Sequence, residues 1–511
     1  MGLSKLVHDF LADSASRRPE KDALFISGRW HAYGLLEEQA NRLAGLLVSS
    51  GLAKGDRVAL LLENSAEYVI TYYAILKAGG TTVALNTENT AEDVAYIVGD
   101  CDVRFLVTGP RLFAKVPKPS GAAAPVVFLW SASVPAGADG AAAAPVLLPE
   151  AFSGESAEPP GVRGVDLDTA SIVYTSGSTG KPRGATLSHL NIVSNTRSIV
   201  DYLGLTSDDR IMAVLPFHYI YGKSLLNTHV SVGGSVVVDN RFLYPNVVLQ
   251  TMKEQEATGF AGVPSTFTIL LSRSSLRTMA FPRLRYVTQA GGAMPPAVQK
   301  EVAEAFAPAR LFVMYGATEA SARLSYLDPA DLPRKWGSIG KAIPNVELFV
   351  ADEEGRPLTA GREGELVARG SNIMSGYWNH PEETDKVLRN GLYFTGDLGR
   401  MDEEGFLFVV GRLKEMLKIG GNRVSAKEIE EALHEHPDVV EAAVVGVPDE
   451  VLGEVPKAFL VARMGAGTGL IEELPRFLQA RLAPYKIPKL YELRDALPKN
   501  EAGKILKLRL K

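Results

Sequence analysis

Residues 174–185, Tyr-Thr-Ser-Gly-Ser-Thr-Gly-Lys-Pro-Arg-Gly-Ala, constrain the chain more than any other stretch. They hold three glycines, four Ser/Thr hydroxyls and two cations, and the apolar run 170–173 in front of them reads as a short buried strand. Glycines let backbone N–H groups turn toward an anion, hydroxyls add donors, and Lys181 and Arg183 add charge-assisted contacts. The stretch is a phosphate loop by its chemistry, but not a Walker A loop, which needs a glycine five residues before its Gly-Lys pair and a Ser or Thr after it. Thr175 and Pro182 stand at those two places. Pro182 biases Lys181 away from helical geometry, so no helix opens directly behind the lysine. A flexible Gly/Ser linker is the competing reading, yet linkers rarely carry Lys-Pro-Arg-Gly or follow an apolar strand directly.

Around this loop the hydrophobic pattern alternates between two periods. Leu35, Leu36, Ala40, Leu43, Ala44 and Leu47 recur at helical spacing up to Gly51. A strand over 57–62 follows, then a helix capped by Asn64-Ser65 and running to about Lys77, then a strand over 82–85. This alternation predicts an α/β fold with parallel strands. The Ala, Pro and Gly-rich stretch 110–164 reads as an irregular surface excursion. The rhythm resumes with a helix over 189–202, strands over 210–215 and 235–238, and a helix over 245–256. Strands over 346–351 and 364–369 predict a β-rich subdomain. Past Gly411-Arg412 a charged helix at 427–435, strands at 439–447 and 459–462, and a helix at 471–482 predict a compact α+β domain of about 100 residues.

Composition narrows the function. The 511 residues are 46% apolar and 22% charged with a net charge of −5, which gives no reason to expect nucleic acid or an anionic membrane as partner. Cys101 is the sole cysteine, so no internal disulfide can form and a reducing, cytoplasmic compartment is expected. Lys5, His8, Asp9, Asp13 and two arginines interrupt residues 1–19, unlike a signal peptide. No apolar run reaches the roughly 20 residues of a membrane helix.

Five further stretches carry complementary chemistry in order. Gly291-Gly292-Ala293 leaves room for a flat base to approach. Tyr315-Gly316-Ala317-Thr318-Glu319 offers an aromatic face, a hydroxyl and a carboxylate. Asp397, in 393–397, is an acceptor suited to a pair of ribose hydroxyls. Residues 412–421 are cationic and end in Gly420-Gly421, and 498–504 deliver Lys504 near the C-terminus. Each alone has a bland reading: Tyr315 as a core aromatic, Asp397 as a turn former, Lys504 as a solvated charge.

Together the six stretches resemble the adenylate-forming superfamily of acyl-CoA synthetases, nonribosomal peptide adenylation domains and beetle luciferases, over essentially the whole chain. The resemblance implies a large N-terminal domain, about 1–411, and a small mobile C-terminal domain, 412–511, hinged near Lys414. It implies two half-reactions: a carboxylate attacks the α-phosphate of ATP to give an acyl-adenylate and pyrophosphate, then a thiol displaces AMP. It further implies that Thr175, Ser176, Gly177, Ser178, Thr179, Lys181 and Arg183 hold phosphates, and that Gly291, Gly292, Ala293, Tyr315 and Gly316 form the adenine site. Thr318 would contact the α-phosphate, Glu319 hold Mg2+, Asp397 and Arg412 bind ribose, Lys504 serve adenylation, and Gly420 and Gly421 line the thiol tunnel.

The residues depart from the family in places. Tyr219 falls where many relatives carry histidine, with His218 one place earlier, so neither is assigned a catalytic role. Lys223 replaces a common leucine, Asn500 a Thr or Ser, and Ser425-Ala426 a frequent proline. The acid pocket is expected from Phe217, His218, Tyr219, Tyr221, Gly222, Val263 and Pro264. Amino-acid-activating relatives place an aspartate in this region, and 212–226 contains no acid. The expected activity is therefore activation of a hydrophobic fatty or aryl acid, with CoA as acceptor. The alternative acceptor is the phosphopantetheine arm of an acyl carrier protein, and a third reading is a nucleotide-binding regulator without turnover, against which Glu319 and Lys504 both speak.

Overall fold

The computed structural model describes residues 5–117, 124–135, 145–175, 181–419, 422–449, 452–463, 465–466, 469–499 and 505–510. Two large sheets organise the N-terminal part. One has nine strands, in the order Lys341–Ala342, Ser325–Leu327, Arg310–Tyr315, Tyr286–Gln289, Gly259–Gly262, Arg210–Ala213, Ser235–Val238, Asp22–Ile26 and Arg29–Ala32. Its six inner strands pair in parallel and its edges are antiparallel. The other has eight, in the order Gly376–Tyr377, Arg183–Ser188, Thr169–Thr175, Thr81–Ala84, Arg57–Leu61, Val103–Thr108, Val126–Trp130 and Val146–Leu148. The strand and the return behind the phosphate loop are adjacent and antiparallel, with Thr175 opposite Arg183.

Between the two sheets lie the helices Tyr33–Ser49, Ala66–Lys77, His189–Leu203 and Ile220–Ser231, sharing one apolar core with both. Every residue of Ala66–Lys77 except Glu67 is buried, as a largely apolar helix between layers must be. Ser65 caps it by accepting from the Tyr68 N–H, and Ser188 caps His189–Leu203 through a reciprocal bond with Asn191. Parallel strands buried on both faces read as continuous apolar runs, which is why 57–61 and 235–238 carried no alternation.

A five-stranded antiparallel sheet, including Glu363–Gly370, Leu392–Met401 and Leu407–Arg412, follows. A last five-stranded sheet spans Met416–Ile419 to Leu490–Leu493, with the helices Ala426–His434 and Gly469–Gln479 on its own core. The fold is thus α/β with mixed sheets, a β-rich part and a smaller α+β C-terminal part. One expectation is corrected. The stretch 110–164 is not simply an irregular excursion: Val126–Trp130 and Val146–Leu148 add two parallel strands to the eight-stranded sheet. The bulk composition hid an apolar run, Val-Val-Phe-Leu-Trp, that was long enough to be a buried strand.

Two core histidines make stability pH-dependent. His229 is buried, and its Nδ1 lies 2.9 Å from the Leu225 carbonyl, which only accepts, so Nδ1 carries the proton and Nε2 accepts from the Tyr286 hydroxyl at 2.9 Å. The Nδ1 of His189 accepts from the Val7 N–H at 3.0 Å. Burial drags their pKa values from 6.5 to about 4 and about 3 respectively. Above pH 6.5 neither ring titrates in either state, but as pH falls below it the unfolded chain binds protons that the folded chain refuses. Stability should therefore fall between pH 6.5 and about 4, by about 1.4 kcal/mol per pH unit for each ring, read as a falling urea midpoint. A midpoint flat across that window would mean that the rings titrate in water.

Candidate active site

A cavity of about 710 Å³ opens where the parallel strands Thr169–Thr175, Tyr286–Gln289 and Arg310–Tyr315 end. Ligands in open α/β sheets bind beyond such carboxyl ends. Thr175, His218, Tyr219, Tyr221, Gly291, Gly292, Ala293, Tyr315, Gly316, Thr318, Glu319, Asp397 and Arg412 all border it, so residues far apart in the chain converge. Ser176, Gly177, Ser178, Thr179, Gly420, Gly421, Asn500 and Lys504 lie outside the described residues.

On one side Asp397 is the centre. It is 6% exposed, and its strand Leu392–Met401 pairs with Leu407–Arg412 so that Asp397 faces Arg412. The Tyr315 hydroxyl donates to its Oδ2 at 2.7 Å and Arg412 Nε to its Oδ1 at 2.8 Å. Burial and then the Asp397 charge push the Tyr315 phenol far above its usual range, and Asp397 likewise holds the Arg412 guanidinium protonated. An ionised carboxylate offers about four acceptor positions, so two such bonds leave room for a pair of hydroxyl donors. Gly291, at φ +84°, lets the adjacent wall come close: a Cβ there would lie 2.9 Å from Val263 Cγ1 and 3.0 Å from the Tyr219 hydroxyl.

Glu319 stands in the short turn Thr318–Ala320, and its backbone carbonyl accepts from the Met374 N–H at 2.8 Å. Its Oε1 accepts from the Tyr377 hydroxyl at 2.6 Å. The Tyr377 ring lies 5.6 Å from the Arg183 guanidinium, which pairs with Glu383 at 2.6 Å. Neither Arg183 nor Tyr377 borders the cavity, and Lys181 packs over Tyr96 at 5.3 Å. Among the described residues no group of three or more His, Cys, Asp or Glu could hold a metal ion. One carboxylate with a free oxygen does fit magnesium, which keeps several waters and is bound through one or two carboxylates plus substrate phosphates.

The acid side differs from expectation in detail. Phe217 is fully buried in the core, where its carbonyl accepts from the Tyr68 hydroxyl at 2.9 Å. Gly222 lies inside a helix against the backbone, since a Cβ would meet the Pro216 carbonyl oxygen at 2.1 Å. Val263 and Pro264 sit behind Gly291 and Gly292. None of these four borders the cavity: in the turn 217–219 and the first turn of the helix Ile220–Ser231 only His218, Tyr219, Ile220 and Tyr221 reach the opening, while Val263 and Pro264 lie behind the two glycines. Burial, with the Lys223 charge added, holds His218 down at about 4, so it is neutral at pH 7.

The C-terminal part closes the remaining side. Lys414 lies in the turn Leu413–Glu415, which joins Leu407–Arg412 to Met416–Ile419. Ser425 Oγ donates to the Val410 carbonyl at 2.6 Å and Lys427 Nζ to that of Val409. Lys507 pairs with Glu430 at 2.8 Å and Glu415 at 3.4 Å. Burial opposes charge on Lys507, but Glu430 and Glu415 more than offset it and its pKa is raised. Sequence reasoning missed Tyr377, Arg323, Glu415, Glu430 and Lys507. Glu430 and Lys507 carried no local signal, because the partner of each is far away in the chain.

Comparison with known proteins agrees with this geometry. The AMP-binding enzyme family matches residues 11–378, and its C-terminal domain matches 428–504. A long-chain-fatty-acid–CoA ligase of Bacillus subtilis is 34% identical over 99% of this chain and 94% of its own length. An indoleacetate–CoA ligase of Aromatoleum aromaticum is 32% identical over 96% of this chain and 95% of its own. An anthranilate CoA ligase solved with anthranoyl-AMP superposes with a TM-score of 0.90 at 26% identity, covering 100% of this chain and 97% of that one. An o-succinylbenzoate CoA synthetase of Bacillus subtilis, solved with ATP and magnesium, gives 0.83 at 29% identity with 98% of each chain covered. With its fold, its converging residues and both matched domains, the chain belongs to the AMP-binding enzyme family, in the branch whose curated members are acid–CoA ligases.

Proposed function

We propose that this enzyme uses ATP to activate a carboxylic acid with a hydrophobic body, fatty or aryl, as its acyl-adenylate, and then passes the acyl group to CoA. The observation that carries this reading is the convergence on one cavity of Asp397 with Tyr315 and Arg412, of Glu319, and of an aromatic wall at Tyr219 and Tyr221. Asp397 holds the ribose, Tyr315 and the Gly291–Ala293 wall flank the adenine, and Thr318 and the 175–183 loop take the phosphates. Glu319, oriented by the Tyr377 hydroxyl, would hold magnesium, which when bound neutralises charge on the transferring phosphates. The attacking carboxylate is already ionised at pH 7, so no general base is needed. What the protein supplies is positioning and charge on the phosphorus and the departing pyrophosphate, to which Lys504 adds an ammonium. Residues 1–411 and 412–511 are the two moving units, turning at Lys414, with Gly420 and Gly421 on the thiol path. The phosphopantetheine of a carrier protein is the alternative acceptor. Cys101 is buried with its thiol pushed up to about 12 chiefly by burial, and among the described residues no helix is long and apolar enough to cross a membrane. We place the enzyme in the cytoplasm.

Acid-dependent ATP–pyrophosphate exchange tests the reading. Hydrophobic carboxylates should support exchange and free α-amino acids should not, because no carboxylate stands beside His218, Tyr219 and Tyr221 in 212–226 to meet an ammonium. Burying an unpaired ammonium there should cost at least ~100-fold in specificity. Efficient exchange with a common amino acid would refute the assignment, and exchange with no acid at all would favour a regulator without turnover.

A further inference from the structure

Two buried basic side chains, Arg323 on the cavity wall and Lys223 behind it, have no carboxylate partner among the described residues. Arg323 is 2% exposed and borders the cavity beside Tyr221, Met314 and Ala322. Its guanidinium carbon lies 4.2 Å from the centre of the Tyr221 ring, its Nε approaches the Met314 sulfur at 3.2 Å, and one terminal nitrogen donates to the Ala322 carbonyl at 3.0 Å. A hydrogen bond with the Tyr202 hydroxyl is its remaining polar contact there. These are weak or neutral partners for a guanidinium. Glu319, four positions earlier, is engaged by Tyr377 instead.

Lys223 is the second, 1% exposed, with Nζ donating to Ser171 Oγ at 3.3 Å and lying 5.4 Å from the Tyr72 ring centre; burial lowers its pKa from 10.5 to about 7, so it is only partly charged at neutral pH until an anion comes near. Ser171 and Thr82 touch across adjacent strands at 3.0 Å. Val173 and Ala84, two residues further on the same faces of those strands, border the cavity. Lys223 therefore sits one strand repeat, about 7 Å, behind the cavity wall. A chain that only had to accommodate a neutral hydrocarbon would gain by filling both places with apolar side chains, because a buried unpaired charge is strongly unfavourable. A neutral acceptor on the substrate would leave that charge uncompensated; an anion would complete it, and a guanidinium's planar fork matches a carboxylate.

We propose that Arg323 pairs with a second carboxylate carried by the acid substrate at the end away from the group being activated, with Lys223 adding its field from behind the wall. The substrate class is a dicarboxylic acid with an apolar body. The inference rests on the proposed acid-activating function and narrows its substrate.

Matched pairs test it: linear diacids of graded length and benzene dicarboxylic acids, each against its own monomethyl ester, in pyrophosphate exchange. The ester keeps the shape and the reacting carboxylate but removes the far charge. With the wild-type enzyme, the best diacid should exceed its half-ester by about 100-fold in kcat/KM. Arg323→Met should reverse that order while still turning over half-esters, and Arg323→Lys should restore part of the preference. Half-esters equal to or better than diacids throughout, with exchange clearly present, would overturn the inference and leave the ligase reading intact. Exchange with neither set but with fatty or aryl monocarboxylates would likewise overturn the inference alone, and exchange with no carboxylic acid at all would overturn both. The wild-type comparison decides the matter even if Arg323→Met does not fold.

Discussion

Lys504→Ala is expected to lower acid-dependent pyrophosphate exchange by about 100-fold or more, as for other lost transition-state charges, while still converting a supplied acyl-adenylate and CoA to thioester at near its normal rate. Lys504 itself lies outside the described residues, but the tail that carries it runs along the site: Leu506 and Lys507 border the cavity, and Lys507 is pinned to Glu415 and Glu430. On the proposed reading, an ammonium delivered there would serve the pentavalent phosphorus and have no task once pyrophosphate has gone. Lys414→Pro should do the reverse. Fixing φ in the turn Leu413–Glu415 restricts rotation between the two half-reactions while leaving the first arrangement reachable. Equal loss of both half-reactions in both folded variants would sink the two-arrangement reading.

Asp397→Ala should weaken ATP binding roughly 10- to 150-fold, the worth of charge-assisted hydrogen bonds to ribose. The structure adds a second cause. Asp397 is the counter-charge that orders Arg412 and the acceptor that orients Tyr315, so its removal disorganises the neighbouring nucleotide contacts as well. Asp397→Asn keeps the shape and one acceptor, and should therefore fall between the wild type and alanine. Titration calorimetry on folded protein measures this, and an unchanged ATP affinity in Asp397→Ala would remove the residue from the site.

How much of this was legible beforehand depends on the range of the interaction. Helices at 33–49 and 66–77 announced themselves because periodicity and a Ser cap are local properties. That Gly291, Tyr315 and Asp397 meet at one cavity was legible for a different reason: they sit in short stretches whose residue types suit a base and a ribose, although Tyr315 and Asp397 are 82 positions apart. Tyr377 was invisible, because nothing near it in sequence indicates a bond to Glu319 58 positions away. The acid pocket was read as a contiguous stretch. Phe217 and Gly222 then turned inward, because the loop entering the helix Ile220–Ser231 and its first turn face the core as well as the cavity. Arg323 was passed over because a lone arginine after a turn looks like surface, and only its burial shows otherwise.

The turn between the β-rich sheet and the last sheet is three residues long. A tether of that length spans about 10 Å at full extension, so a C-terminal domain that turns there, as proposed, could pivot but not drift. Its groups therefore meet the cavity at an effective concentration of the millimolar order or above, set by the chain rather than by how much enzyme a cell makes. Cutting the chain at that turn would make catalysis depend on the concentration of each half, and lengthening it with flexible residues would dilute the domain gradually rather than abolish its visits.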